Sequence, residues 1–212
     1  MSQIKISIIK YGSGNLHSVK KILEKFGSST TITDNPNEIV NSDVIVFPGQ
    51  GSNDTAMRQL REKNLVDLIR NHVISGKYFL GICLGLQLLF ETSEEGIEPC
   101  LNLIPGNVKQ FPRDQKRPHM GWNQVTLTDN HPLFNGINSD EFFYFVHSYY
   151  VEPSASKIIK GTTRYGLNFS SVISIGNMIG VQFHPEKSGF VGLKFYENFI
   201  ELVKSKKNLS CY

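Results

Sequence analysis

Two apolar runs, DVIVF (43–47) and KYFLGI (77–82), each lead into a glycine-flanked turn, PGQGS (48–52) and GICLG (81–85). Neither run alternates. A strand without a polar face is buried on both sides, which is the condition of a parallel sheet covered by helices. Segments with helical spacing lie around them. In NLHSVKKILEKF (15–26) Leu16, Val19, Ile22, Leu23 and Phe26 share a face, and Gly27 stops the helix. NLVDLIRNHVIS (64–75) repeats the pattern with Gly76 as its stop, and LGLQLLFET (84–92) reads as a third helix. With IKISIIK (4–10) as the first strand, the order is β-α-β-α, which implies parallel strands joined by right-handed crossovers.

The second half reads differently. NVKQF, NQVTL, FFYFVHSYYV, KIIKGTT, NFSSVISIG and MIGVQF are strand-like and separated by turn residues. They predict an antiparallel extension of the sheet. An amphipathic helix, GFVGLKFYENFIELVKS (189–205), follows. No repeat or linker divides the chain. The expectation is one α/β domain over 1–212, three-layered, with a mostly parallel central sheet and an antiparallel extension.

The net charge of +3 is small and the basic residues are scattered, which argues against nucleic acid. Lys204, Lys206 and Lys207 read as a helix end that complements its macrodipole. No apolar run is long enough to span a membrane, and MSQIKISIIK lacks the core of a signal peptide. Cys83, Cys100 and Cys211 are sparse and far apart, so neither a disulfide framework nor a metal-binding pair is expected. A reducing, cytoplasmic setting without metal or cofactor follows. The triplets at Asn53, Asn168 and Asn208 that match the glycosylation pattern read as chance.

The G-x-C-x-G at 81–85 carries the chemistry. A strand enters and a helix leaves, so Cys83 sits on a sharp turn at the C-terminal edge of the sheet. Backbone N–H groups at the helix start favour the thiolate. An unperturbed cysteine, with a pKa of roughly 8.5, is only a few per cent thiolate at neutral pH. The Leu84 N–H is placed to receive an oxyanion. An isolated cysteine here is more often a packed hydrophobe, so a base is needed. His184, in VQFHPEKS (181–188), follows a strand, and Glu186 lies two residues on, where a carboxylate can orient the ring. Gly49, Gln50 and Gly51 form a turn at the same sheet edge, with the Gln50 N–H as the expected second oxyanion donor. No G-K-[ST] follows, so phosphate binding is disfavoured.

Together these elements resemble the class I (triad) glutamine amidotransferases, whose architecture is flavodoxin-like. YGSGNLHSV (11–19), GICLGLQLLFETSEEG (81–96), LIPGNV (103–108), PHMGWN (118–123), YFVHSYY (144–150) and GVQFHPEKSG (180–189) look like the glutaminase subunits of imidazole glycerol phosphate synthase, nearly end to end. The resemblance implies that Cys83 attacks the glutamine side-chain amide, His184 shuttles the proton and Glu186 orients His184. Leu84 and the 49–51 turn would hold the oxyanion. Gln87, Ser148 and Tyr149 would bind glutamine. Tyr11, Asn15, Met120, Trp122, Tyr144 and Lys187 match positions at or near a docking face. The implied partner is a cyclase subunit with a (β/α)8 barrel, in a heterodimer that makes imidazole glycerol phosphate and an aminoimidazole carboxamide ribotide for histidine biosynthesis. On the residues alone, Trp122 can also be a core aromatic, although Gly121 and Asn123 on either side suit an interface anchor.

Lys10, Gln50 and Arg117 depart from the family pattern, which usually has an acidic residue, a valine and an apolar residue there. An alternative is therefore a paralogous glutaminase that supplies a barrel synthase amidating a surface-polysaccharide sugar. A non-catalytic scaffold is opposed by the intact Cys-His-Glu set. A cysteine peptidase or deglycase has no place for His-Pro-Glu and PHMGWN.

Overall fold

A computed structural model describes residues 3–12 and 15–209, with side chains through 206. The side chains of Lys207 and Asn208, together with Ser210 and Cys211, therefore lie outside the described residues, as do Ser13 and Gly14 within the YGSGNLHSV string.

The first half follows the expected alternation. β1 (Lys5–Ile9) leads to α1 (Leu16–Lys25), then β2 (Ser29–Thr33), α2 (Pro36–Val40), β3 (Val44–Gly49), α3 (Asn53–Glu62), α4 (Val66–Ile74), β4 (Tyr78–Cys83) and α5 (Leu84–Gln87). The second half runs β5 (Thr92–Ser93), β6 (Gly106–Gln110), β7 (His119–Leu127), β8 (Glu141–His147), β9 (Tyr149–Pro153), β10 (Ile159–Tyr165), β11 (Leu167–Ile175) and β12 (Met178–Val181), ending in α6 (Gly189–Leu209). The main sheet order is β2-β1-β3-β4-β12-β11-β10-β7-β8. The strands from β2 through β12 are parallel, and those beyond β12 pair antiparallel. β9 bridges from β11 to β6, which also carries β5.

Every residue of β3 and β4 is buried, as their unbroken apolar runs demand. One core cluster packs α1 and α6 against the sheet through Val19, Leu23, Phe195 and Phe199. A second packs α3 and α4 against the opposite face through Met57, Leu60, Ile69 and Phe79. This is the three-layer arrangement.

The structure departs from the sequence reading in several elements. The helix read over 84–92 is a single turn, Leu84–Gln87. Its continuation is taken over by a neighbouring segment: the carbonyls of Leu88, Leu89 and Phe90 accept from the N–H groups of Leu101, Ile104 and Asn102. The strand read through FFYFVHSYYV is broken at Ser148, where β8 ends and β9 begins. MIGVQF does not join the extension only. β12 pairs antiparallel with β11 on one side and parallel with β4 on the other, Val181 opposite Ile82.

Candidate active site

That last pairing sets up the site. β3, β4 and β12 are adjacent and parallel, so their C-terminal ends come to one edge. Gly49 is in register with Cys83, and the chain beyond Val181 carries Gln182 and His184 alongside it. In open parallel sheets this is where ligands bind.

Cys83 adopts φ 56° and ψ −106°, a left-handed conformation costly for a residue with a Cβ. The flanking glycines make the turn possible. A Cβ on Gly85 would strike the Phe47 carbonyl on β3, and one on Gly81 would strike the Gly85 carbonyl. The turn is thus pressed between two strands, with the sulfur at the sheet edge.

His184 Nδ1 lies 2.9 Å from Glu186 Oε1, and both side chains are almost fully buried. The pair is held from outside. The His184 N–H donates to the Tyr144 carbonyl at 2.8 Å, and Ser188 Oγ donates to the His184 carbonyl while accepting from the Tyr144 N–H. His184 Nε2 is buried and makes no hydrogen bond of normal geometry. Its charge interaction is with Cys83. Burial opposes a charged ring, but the Cys83 sulfur and the Glu186 carboxylate outweigh it, and the pKa is pushed up to about 10.

A cavity of about 430 Å³ opens beside the sulfur. It brings together Cys83, Leu84, the Gly49-Gln50-Gly51 turn, Gln87, Ser148 and Tyr149, with Met120, Tyr144 and Lys187 at its rim. Its size suits a small molecule. His184 and Glu186 stand behind this lining. Gln87 Nε2 is already engaged, donating to the Tyr149 carbonyl and to Gln182 Oε1, each at 3.1 Å. The Ser148 carbonyl accepts from the Phe111 N–H.

The residues matched to a docking face divide. Met120 and Trp122 are exposed, so the core reading of Trp122 is excluded. Trp122 meets the Tyr144 ring edge-on, and the Lys187 ammonium lies over the same ring at 5.6 Å. Asn15 is half-buried at the start of α1. Tyr11 is not on the surface. It is 4 % exposed, stacked on Phe47, with its hydroxyl under Gly49 beside the Gln50 backbone. Among the departures, Lys10 and Arg117 are exposed, whereas Gln50 lines the cavity.

Three residues that sequence reasoning passed over complete the site. Gln182 is fully buried, and its Nε2 donates to Cys83 Sγ at 3.5 Å. Its signal was a lone amide in an otherwise apolar strand. Glu95 lines the cavity and accepts from the Asn53 N–H, and burial raises its pKa. It sits in the ETSEEG string, where nothing distinguished it from its neighbours. His147 lines the cavity and is hydrogen-bonded to His119.

The model of the class-I glutamine amidotransferases matches residues 7–202. The imidazole glycerol phosphate synthase subunit HisH of Moorella thermoacetica is 50% identical over 204 residues, spanning 96% of this chain and 97% of that protein. This chain belongs to the HisH family of class I glutamine amidotransferases. The HisH of Methanosarcina acetivorans is 48% identical over 93% of this chain and 98% of that protein. Among solved structures, a putative GMP synthase subunit from Thermoplasma acidophilum matches with a TM-score of 0.75 at 19% identity, covering 100% of each chain, and so shares the fold. PurLQS from Thermotoga maritima matches with a TM-score of 0.72 at 18% identity, covering 97% of this chain and 100% of that one. Among the described residues of this HisH-family chain, no group of metal-binding side chains gathers, and no helix is long and apolar enough to cross a membrane.

Proposed function

We propose that the chain is the glutaminase subunit of an imidazole glycerol phosphate synthase, acting as one domain, with Cys83 as nucleophile. The observation that carries this reading is the buried His184–Glu186 pair, whose ring couples to the Cys83 sulfur across adjacent strand ends. Near-full-length identity to HisH relatives supports the histidine-pathway assignment over a sugar-amidating paralogue.

The reaction follows from the groups present. The Cys83 sulfur attacks the side-chain amide carbon of glutamine, and a C–S bond forms. Negative charge moves to the amide oxygen, which the Leu84 N–H and the 49–51 turn receive. His184 passes the thiol proton to the departing nitrogen as the C–N bond breaks, and ammonia leaves. Water then attacks the glutamyl thioester, releasing glutamate and restoring the thiol. Glu186 fixes the His184 tautomer so that Nε2 faces the sulfur. Glu95 offers an anionic partner for the substrate ammonium.

Ammonia released into neutral water is mostly protonated and no longer nucleophilic, so it must pass through a dry route to its acceptor. The acceptor site belongs to a partner subunit, a (β/α)8-barrel cyclase. The face of Met120, Trp122, Tyr144 and Lys187 borders the cavity and suits that docking. The chain works in the cytoplasm. Hydrolysis in isolation is weak and rises with the partner, because the two-glycine turn can move an oxyanion donor in or out.

Reconstitution with the barrel cyclase tests this. In a complex carrying Cys83→Ala, product formation from glutamine is lost, while formation from added ammonium salt persists. Retained glutamine-dependent synthesis overturns the assignment. Failure to rescue a histidine auxotroph lacking its glutaminase subunit, with the cognate barrel supplied, overturns the pathway.

A further inference from the structure

We propose that Gln182 is a further catalytic residue of this site, its amide aimed at the Cys83 sulfur by Gln87 and the Tyr149 carbonyl, and that a buried chain from Asn123 through His119 and His147 converges on that carbonyl and holds it in place. The inference rests on the reading of Cys83 as nucleophile.

The chain begins on β7. Asn123 Nδ2 donates both its hydrogens, to the Arg164 carbonyl at 3.0 Å and to His119 Nε2 at 3.1 Å. Its orientation is not free, because Asn123 Oδ1 accepts from the Gln124 N–H at 2.8 Å. His119 Nε2 is therefore an acceptor, and its proton is on Nδ1. His119 Nδ1 faces His147 Nε2 at 2.9 Å, so His147 must carry its own proton on Nδ1. That nitrogen lies 2.7 Å from the Tyr149 carbonyl, which can only accept. The polarity deduced from Asn123 thus agrees with the polarity demanded by Tyr149.

A second arm starts at the same carbonyl. Gln87 Nε2 donates to Tyr149 O and to Gln182 Oε1. Reversing Gln87 would set oxygen against the Tyr149 carbonyl, and reversing Gln182 would set one amide nitrogen against another, so Gln182 must present Nε2 to Cys83 Sγ, as it does at 3.5 Å. Gln182 is fully buried, and Gln87, His119 and His147 are nearly so. A donor fixed on the sulfur favours the thiolate over the thiol.

The histidine pair is built to stay neutral. His119 is stacked between Phe145 and Tyr165, and His147 packs against Phe111 and Phe169. A second proton on either ring would set hydrogen against hydrogen. Burial pushes the two pKa values down, to about 4 for His119 and about 3 for His147. Met120 and Trp122 are exposed on the opposite face of the same strand as His119 and Asn123. The chain thus joins the exposed strand to the nucleophile.

Two measurements test the proposal. Nitrogen-15 NMR of the imidazoles in the wild-type protein should show both His119 and His147 as neutral Nδ1–H tautomers from pH 5 to pH 8. A proton on Nε2, or titration near 6.5 as in a free histidine, overturns the chain. The second measurement is the pH midpoint of Cys83 alkylation, read by mass spectrometry on its own peptide. In Gln182→Leu the midpoint should rise by roughly 1 to 2 pH units, the worth of one hydrogen bond to an ion. The kcat for glutamine should fall about 10-fold or more, with KM within about twofold because Gln182 contacts the sulfur rather than the substrate. Gln182→Met fills the space without a donor and should behave the same, which covers a Leu variant that fails to fold. Tyr11 and His184 also couple to Cys83 and are unchanged in these variants. An unmoved midpoint with normal kcat overturns the role of Gln182. That outcome with Cys83→Ala inactive leaves the nucleophile standing; activity in Cys83→Ala would remove the nucleophile instead.

Discussion

At the scale of single residues, His184 is the most informative. Its raised pKa has a definite sign. The ring holds its proton in the folded protein when a free histidine would release it, so its contribution to stability is full below pH 6.5 and is lost as the pH rises towards 10. Catalysis should follow the same group. The kcat/KM for glutamine in the free enzyme should persist through neutral pH and fall only as the pH approaches that raised value. Glu186→Gln removes one of the interactions holding the proton and should move the alkaline limb to lower pH. A wild-type limb near 6.5 would mean that the coupling to Cys83 is absent. The Cys83, His184 and Glu186 set was legible in the sequence because each member follows a strand or turn signal. Gln182 was not, since one amide at the end of the apolar string MIGVQF resembles ordinary alternation, and its partner Cys83 is remote in sequence.

At the scale of elements, the turn around Cys83 is pinned by two close approaches of backbone to backbone, at Gly81 and Gly85. Gly85→Ala pushes a methyl group against the Phe47 carbonyl. Overpacking of this kind typically costs about 1–3 kcal/mol, so the variant should show a lower urea midpoint. Displacement of the sulfur should also reduce turnover by about 10²-fold, since misplacements of about 1 Å have that effect. Turnover equal to wild type would show that the turn tolerates the shift. The apolar runs of β3 and β4 foretold this element, whereas the length of α5 was illegible. Leu88, Leu89 and Phe90 look helical in sequence, but their carbonyls are claimed by residues 101–104. Helix α3 was overlooked for the opposite reason. NDTAMRQLRE is mostly polar, and only Ala56, Met57 and Leu60 mark its apolar buried face.

Over the whole molecule, histidines tie stability to pH in the direction opposite to His184. Burial lowers the pKa of His72, His119, His131 and His147. Once unfolded, each takes up a proton near 6.5, so the unfolded chain binds more protons and stability falls as the pH drops from there towards 4. The urea midpoint should decline over that window; a flat midpoint would contradict the burial. The exposed face argues at the same scale. Trp122 is 56% exposed in a protein whose other large aromatics are mostly buried. Trp122→Ala should weaken binding to the partner subunit by about 30-fold, the cost of a typical hot spot of about 2 kcal/mol. Its melting temperature should not change. The antiparallel extension was legible as a class, but the parallel return of β12 beside β4 was not, because register between strands a hundred residues apart leaves no local trace.

Cys83 should form a covalent intermediate, and acid quenching of the reconstituted complex during turnover of glutamine, followed by mass spectrometry of its peptides, reads it directly. One glutamyl group is expected on the peptide carrying Cys83, sensitive to hydroxylamine as a thioester is, and none in Cys83→Ala. Steady glutamate release with no adduct on that peptide, or with the adduct on another residue, would contradict it.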